Sequence, residues 1–167
     1  MKKVLLILAC GIATQLSYAQ ATPKWADKAK KAVFSIVTYD KDNKIKNTGN
    51  GFYINENGTA LSDYTLFEGA ERAVIINADS KELPVLRILG ANSMYDIVKF
   101  NTEADKKTIA LKSASQPASV GETVYLLPYS TQKAATCQTG TVTKVDTIGD
   151  KAYYYTLAMT TNEKTVS

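Results

Sequence analysis

Side chains that move protons, bind metals or attack carbon bound the chemistry of this chain, and the first bound is an absence. The 167 residues contain no histidine, the side chain that ordinarily changes charge near neutral pH. Any acid–base work falls to acids, lysines and hydroxyls, and a serine without an adjacent base is a poor nucleophile. Two cysteines are present, Cys10 and Cys137. Once the leader described below is removed, Cys137 stands alone, so no internal disulfide forms and metal clusters of cysteine and histidine are excluded. Cys137 then reads as a small buried filler. Asp40-Lys41-Asp42-Asn43 matches the opening of a calcium loop. The required glycine position holds Ile45 and the twelfth position holds Gly51 instead of glutamate, so a hairpin turn is the better reading. Asn57-Gly58-Thr59 fits a glycosylation sequon, but Asn-Gly is first a turn signal. Tyr153-Tyr154-Tyr155 has two readings, a peptide groove or alternate inward and outward tyrosines on one strand; the second is the simpler.

The first residues carry the pattern of an export signal. Lys2 and Lys3 form a positive start, an apolar stretch opens at Val4 and fades by Leu16, and Ser17-Tyr18-Ala19 offers small residues where a signal peptidase reads. Residues 1–19 are therefore expected to be removed, with a second cleavage point after Ala21. The apolar run is too short and too interrupted to span ~30 Å of hydrocarbon. Loss of Lys2 and Lys3 lowers the net charge from +4 to +2. A charge of +2 with interspersed signs argues against a nucleic-acid surface. No cofactor is implied, and the expected location is periplasmic or secreted.

Elements that could position a site follow from the hydrophobic period. Residues 22–32 read as a helix: Thr22 can cap it, Pro23 suits its first turn, and Trp25, Ala29 and Ala32 share one face. Lys28, Lys30 and Lys31 are its solvated side. Thereafter the period falls to two. Strands are predicted over residues 32–39, 50–54, 59–66, 72–78, 84–89 and 96–100, with turns at Asp42-Asn43, Asn55-Glu56-Asn57-Gly58 and Asp79-Ser80. Residues 103–119 are polar and poor in large apolar side chains, as a linker would be. Strands resume over 122–128, 136–145 and 151–159. Ten tyrosines suit β structure.

Four segments, in order, resemble trypsin-like serine proteases of the HtrA/Deg type. Gly49-Asn50-Gly51-Phe52, Gly58, Ala60-Leu61-Ser62-Asp63-Tyr64-Thr65-Leu66 and Gly69-Ala70 are similar to a G-x-G-F strand, a turn glycine and a strand ending in T-x-x-H-V. Asn92-Ser93-Met94-Tyr95-Asp96-Ile97-Val98 looks like D-x-x-x-D-I-A. Val120-Gly121-Glu122-Thr123-Val124 is similar to the V-G-E-x-V turn that opens the second barrel, and Thr139-Gly140-Thr141-Val142-Thr143 to a T-x-G-x-V-S strand. No single segment is specific; their order and spacing carry the resemblance, from about Val33 to Ser167. The implied fold is all-β: two packed antiparallel β-barrels of the trypsin-like type after a short N-terminal helix, the first over residues 33–102 and the second over 120–167. The resemblance further implies an incomplete second barrel, without the strands that normally follow the nucleophile turn.

The same resemblance puts Thr65 on the catalytic histidine and Asp96 on the triad aspartate. Counted without gaps from Tyr155, Ser167 falls on the nucleophile and Thr165 on the oxyanion glycine; equally, Ser167 is merely the last residue. A hydroxyl is far too weak a base to replace imidazole, and losing such a histidine costs on the order of 10⁶ in kcat. Losing an oxyanion donor threatens ~10² to 10³ more, non-additively. The expectation is a catalytically degenerate member in which none of Thr65, Asp96 and Ser167 is active. Its cleft would hold an extended peptide or protein segment by strand addition. Asp96, deprived of its histidine, should take hydroxyls or amides as donors, with Ser62 and Thr65 the candidates, or else face solvent and cap a turn. Two rival readings remain. One is an active serine hydrolase that uses Lys99 or Lys164 as its base. The other is a fragment of a larger protein whose open strand edges a partner or further chain covers.

Overall fold

The computed structural model describes residues 23–103, 108–127, 129, 137–148 and 151–159, with the backbone alone at 148 and 151–154. It opens with α1 (Ala26–Lys30). Nine strands follow: β1 (Val33–Tyr39), β2 (Ile45–Tyr53), β3 (Thr59–Ser62), β4 (Arg72–Ile76), β5 (Glu82–Asn92), β6 (Ile97–Thr102), β7 (Thr123–Leu126), β8 (Gln138–Ile148) and β9 (Lys151–Met159). The first six close an antiparallel barrel in the order β1-β2-β3-β6-β5-β4. The last three form an antiparallel sheet in the order β7-β8-β9. Among the described residues, the structure is thus all-β apart from α1 and one 3-10 turn. Among the described residues, no helix is long and apolar enough to cross a membrane.

Alternation builds the barrel core. Phe34, Ile36, Tyr53, Ala60, Ile75, Leu83, Val98 and Phe100 point inward and are buried together. Phe34 meets Tyr53 edge-on at 4.8 Å between ring centroids and Phe100 at 6.2 Å. Gly51 makes room for this packing. A Cβ there would lie 2.5 Å from Phe34 Cε2 and 2.8 Å from the Leu61 carbonyl oxygen, closer than any side chain tolerates. The glycine of the G-x-G-F motif is thus a packing requirement.

The predicted turns form with identifiable chemistry. Asp40 Oδ1 accepts from the amides of Asp42 and Lys44, both at 2.9 Å. Asn43 takes a left-handed φ of 61°, which asparagine tolerates. The carboxylate that would open a calcium loop thus serves a hairpin. Asn55 Oδ1 likewise accepts from Asn57 and Thr59 at 3.0 Å each, and Gly58 follows at φ 79°. In the V-G-E turn, Gly121 has φ 89° and the Glu122 carboxylate accepts from the Ser119 amide at 3.0 Å.

Several expectations need correction. β2 starts at Ile45, because its polar first half completes the ladder with β1 from Tyr39↔Ile45 onward. β3 stops at Ser62, four residues short of the expected strand, and a 3-10 turn replaces its end (Tyr64–Leu66). β5 runs from Glu82 to Asn92, beyond both predicted ends, because β6 pairs along most of it. α1 is shorter than 22–32. It buries Ala26, whereas Trp25 is 51% exposed; the edge-on contact of Trp25 with Tyr125 at 5.1 Å draws it off the face shared by Ala29 and Ala32. Thr22, the expected cap, lies outside the described residues. Cys137 is half-buried and stands just before β8. Tyr155 is exposed, and the side chains of Tyr153 and Tyr154 lie outside the description.

Candidate functional site

The link between β3 and β4 carries the first site residue. Asp63 leaves β3 in an extended conformation (φ −74°, ψ 133°), and the 3-10 turn begins at Tyr64. The Tyr64 amide donates to the Asp96 carbonyl at 3.2 Å, which ties this turn to the start of β6. Asn47 of β2 braces the other side: its Nδ2 donates to the carbonyls of Thr65 at 3.4 Å and Leu66 at 3.2 Å. Beneath the turn, Phe67 packs on Phe100 at 5.2 Å between centroids.

Asp96 arrives from the opposite side. Asn92 Oδ1 accepts from the Tyr95 amide at 3.1 Å, closing a turn that ends with Asp96 at φ 50°. A left-handed conformation is one that aspartate accepts more readily than most residues. The result is a two-point contact. The Thr65 amide donates to Asp96 Oδ1 at 2.7 Å, and the Thr65 hydroxyl donates to Oδ2 at 3.0 Å.

Two of the three expected positions are therefore together, Thr65 and Asp96, although they stand 31 residues apart in the chain. Ser167 lies outside the described residues, as does Lys164. Lys99 is exposed on β6. Of the two donors expected for Asp96, Thr65 serves with both its amide and its hydroxyl. Ser62 does not: it is 8% exposed, and its hydroxyl donates to the Asn50 carbonyl across the ladder at 2.7 Å. Pairing with Gly51 and Val98 fixes it in the sheet, away from the turn. The alternative, Asp96 facing solvent as a turn cap, is not what forms: Asp96 is half-buried, and Asn92 closes the turn before it.

Asn47 and Asp63 escaped the sequence reading. Asn47 lay in a segment not recognised as strand. Asp63 sits two residues before Thr65, and its carboxyl is raised above the ordinary 3.8, first by partial desolvation and then by the negative charge of Asp96. That adjacency was visible in the motif. Chemically, the arrangement orients a hydroxyl against a carboxylate. It contains no group that takes a proton from a serine near neutral pH and returns it to a leaving group, as imidazole does.

No family model matches this sequence, and no curated protein matches it. Its architecture is similar to the crystal structure of the serine endoprotease from Yersinia pestis, at a TM-score of 0.61 and 16% identity. The likeness covers 74% of this chain and 46% of that one; the chain thus spans under half the length of that structure. The likeness shows the fold, and with it the trypsin-like architecture expected from the ordered motifs.

Proposed function

We propose that this protein is a secreted or periplasmic pseudoprotease that keeps the trypsin-like scaffold, has lost its hydrolytic apparatus, and binds an extended peptide or protein segment in the cleft between its two β-units. One observation carries the reading. In place of an imidazole, Asp96 holds Thr65, with both carboxylate oxygens occupied at 2.7 and 3.0 Å. The hydroxyl there has no proton-accepting capacity near neutral pH. The absence of histidine throughout the sequence leaves no other imidazole to take the role. Exposed strand edges suit peptide capture by strand addition, and the endoprotease fold supplies the analogy for that role.

Labelling with a fluorophosphonate probe tests the loss of catalysis. The expected result is no serine-specific labelling and no casein cleavage. Robust labelling of one serine, abolished by its change to alanine, would establish the competing reading of an active hydrolase with a lysine base. Export has its own test: the N-terminus of the mature protein should be Gln20, or Thr22 for the second cleavage point. An intact Met1 on protein found only in the cytoplasm would refute it.

A further inference from the structure

The end of β4 pairs antiparallel with the start of β5, and beyond that the two strands part. They pair at Val74↔Pro84, Ile75↔Leu83 and Ile76↔Glu82. Beyond Pro84, β5 continues to Asn92 in partnership with β6 alone. Arg72 and Ala73 of β4 pair only with β1. Among the described residues, the second edge of β5 over residues 86–92 therefore meets no strand. Between the two strands lies a cleft of about 210 Å³, whose lining includes the apolar Phe67, Leu86 and Ile88 and the charged Glu71, Arg72 and Arg87.

Several features mark this seam as open to a partner. Register irregularities fall at Leu86 and at Leu89, and bulges re-aim side chains and interrupt pairing. Leu86, Ile88 and Leu89 are 59%, 46% and 39% exposed. Arg72 is fixed in place: Nε and Nη2 donate to Asn43 Oδ1 at 2.9 and 2.7 Å, and its guanidinium lies 3.7 Å from the Tyr39 ring centroid. Neither arginine forms an ion pair among the described residues. Finally, Gly90 has no positive φ, and nothing lies within 4 Å of where its Cβ would be. Neither conformation nor internal packing requires glycine there. A strand glycine accompanies a bulge, as beside Leu89 here, and also leaves room for close approach by another backbone.

We propose that an extended peptide segment adds as a strand to the free edge of β5 at residues 86–92. It places one acidic side chain in the cleft against Arg72 and Arg87, with aliphatic side chains two positions to either side. The edge supplies backbone hydrogen bonds and the cleft supplies specificity through alternate side chains. Two guanidiniums against the single Glu71 make an acid the charge complement. The cleft is smaller than the ~300–1,000 Å³ of sites for drug-sized ligands, a size for a side chain and not for a whole small molecule. Seven strand residues give an edge of about 23 Å, long enough for the peptide and both flanking aliphatics. The described lining of this site comes from the first barrel alone.

Fluorescence anisotropy with the full chain tests it. The probe is Thr-Val-Thr-Asp-Thr-Val-Thr, labelled with fluorescein at its N-terminus and amidated at its C-terminus; the comparison peptide has Asn in place of Asp. The Asp peptide should bind saturably and the Asn peptide at least ~10-fold more weakly, since a charge-assisted pair is lost. Arg87→Gln should weaken the Asp peptide by a similar factor and erase the preference. Gly90→Val should weaken both peptides. Lys30→Gln, a cation removed elsewhere, should change neither, and thermal melting checks that each variant is folded. Absent binding, equal affinity for the two peptides, or full affinity in Arg87→Gln would overturn the proposal. Fluorophosphonate labelling reads a different site, so the two ideas fail separately.

Discussion

Both carboxylate oxygens of Asp96 go to one residue, one to the Thr65 amide and one to its hydroxyl. Thr65 is exposed, so water competes for these bonds, and each belongs near the low end of the usual ~0.5–1.5 kcal/mol. Thr65→Val, which keeps the amide and removes the hydroxyl, should cost about 0.5–1 kcal/mol in urea unfolding. Combined with Asp96→Asn, the losses should fall short of additive, because both changes remove the same contact. Strict additivity would show that the hydroxyl bond contributes nothing. Asp63 adds a pH signature. Its carboxyl is raised by partial desolvation and by Asp96, so the folded state keeps the proton in a window just above 3.8. Stability contributed through this group is present below that window and lost as pH rises through it. Asp63→Asn should therefore raise Tm at pH 7, and the gain should vanish at pH 3. A gain that persists at pH 3 would separate the effect from charge. The sequence paired positions 65 and 96 only through family spacing; nothing in their types says that a threonine amide will hold an aspartate.

Individual elements divide into those fixed by local chemistry and those decided by their neighbours. The hairpin at Asp40 and the turn at Asn55 were legible because side-chain acceptors and a glycine write them locally. The lengths of β2 and β5 were not legible, since polar or bulged residues become strand only when a neighbouring ladder holds them. Two glycines illustrate the contrast. Gly51→Ala should destabilise by about 1–3 kcal/mol through overpacking against Phe34, whereas Gly90→Ala should stay within about 0.5 kcal/mol, as unconstrained surface changes do. Equal effects in urea unfolding would contradict the packing assigned here. Tyr53 at the end of β2 is 3% exposed, and burial pushes its phenol up to about 12 from 10.0. The unfolded chain ionises this group first, so stability falls as pH rises between about 10 and 12, by up to ~1.4 kcal/mol per pH unit. Tyr53→Phe should flatten that part of the alkaline unfolding curve followed by circular dichroism. An unchanged slope would mean that the phenol is not held neutral by the barrel.

On the scale of the whole molecule, contacts outside the two sheets connect them. Trp25, ahead of α1, meets Tyr125 of β7 edge-on, and the Tyr129 hydroxyl donates to the Asn77 carbonyl of the barrel at 2.8 Å. Trp25 is the only tryptophan, so its emission reports this docking. Tyr125→Ala should shift that emission to the red and cost about 0.5–1.5 kcal/mol beyond the area lost, while the barrel stays folded. An unshifted spectrum would show that the edge contact does not persist in solution. By itself, the sequence determined the β class, the turns, the order of the motifs and the absence of histidine, because alternation, Asx and glycine turns and residue identity are local properties. Only the tertiary structure decided that Thr65 and not Ser62 holds Asp96, and that β4 and β5 part to leave a charged cleft. Both depend on which face of a strand meets which neighbour, a matter of ladder register that is settled only once the barrel has closed.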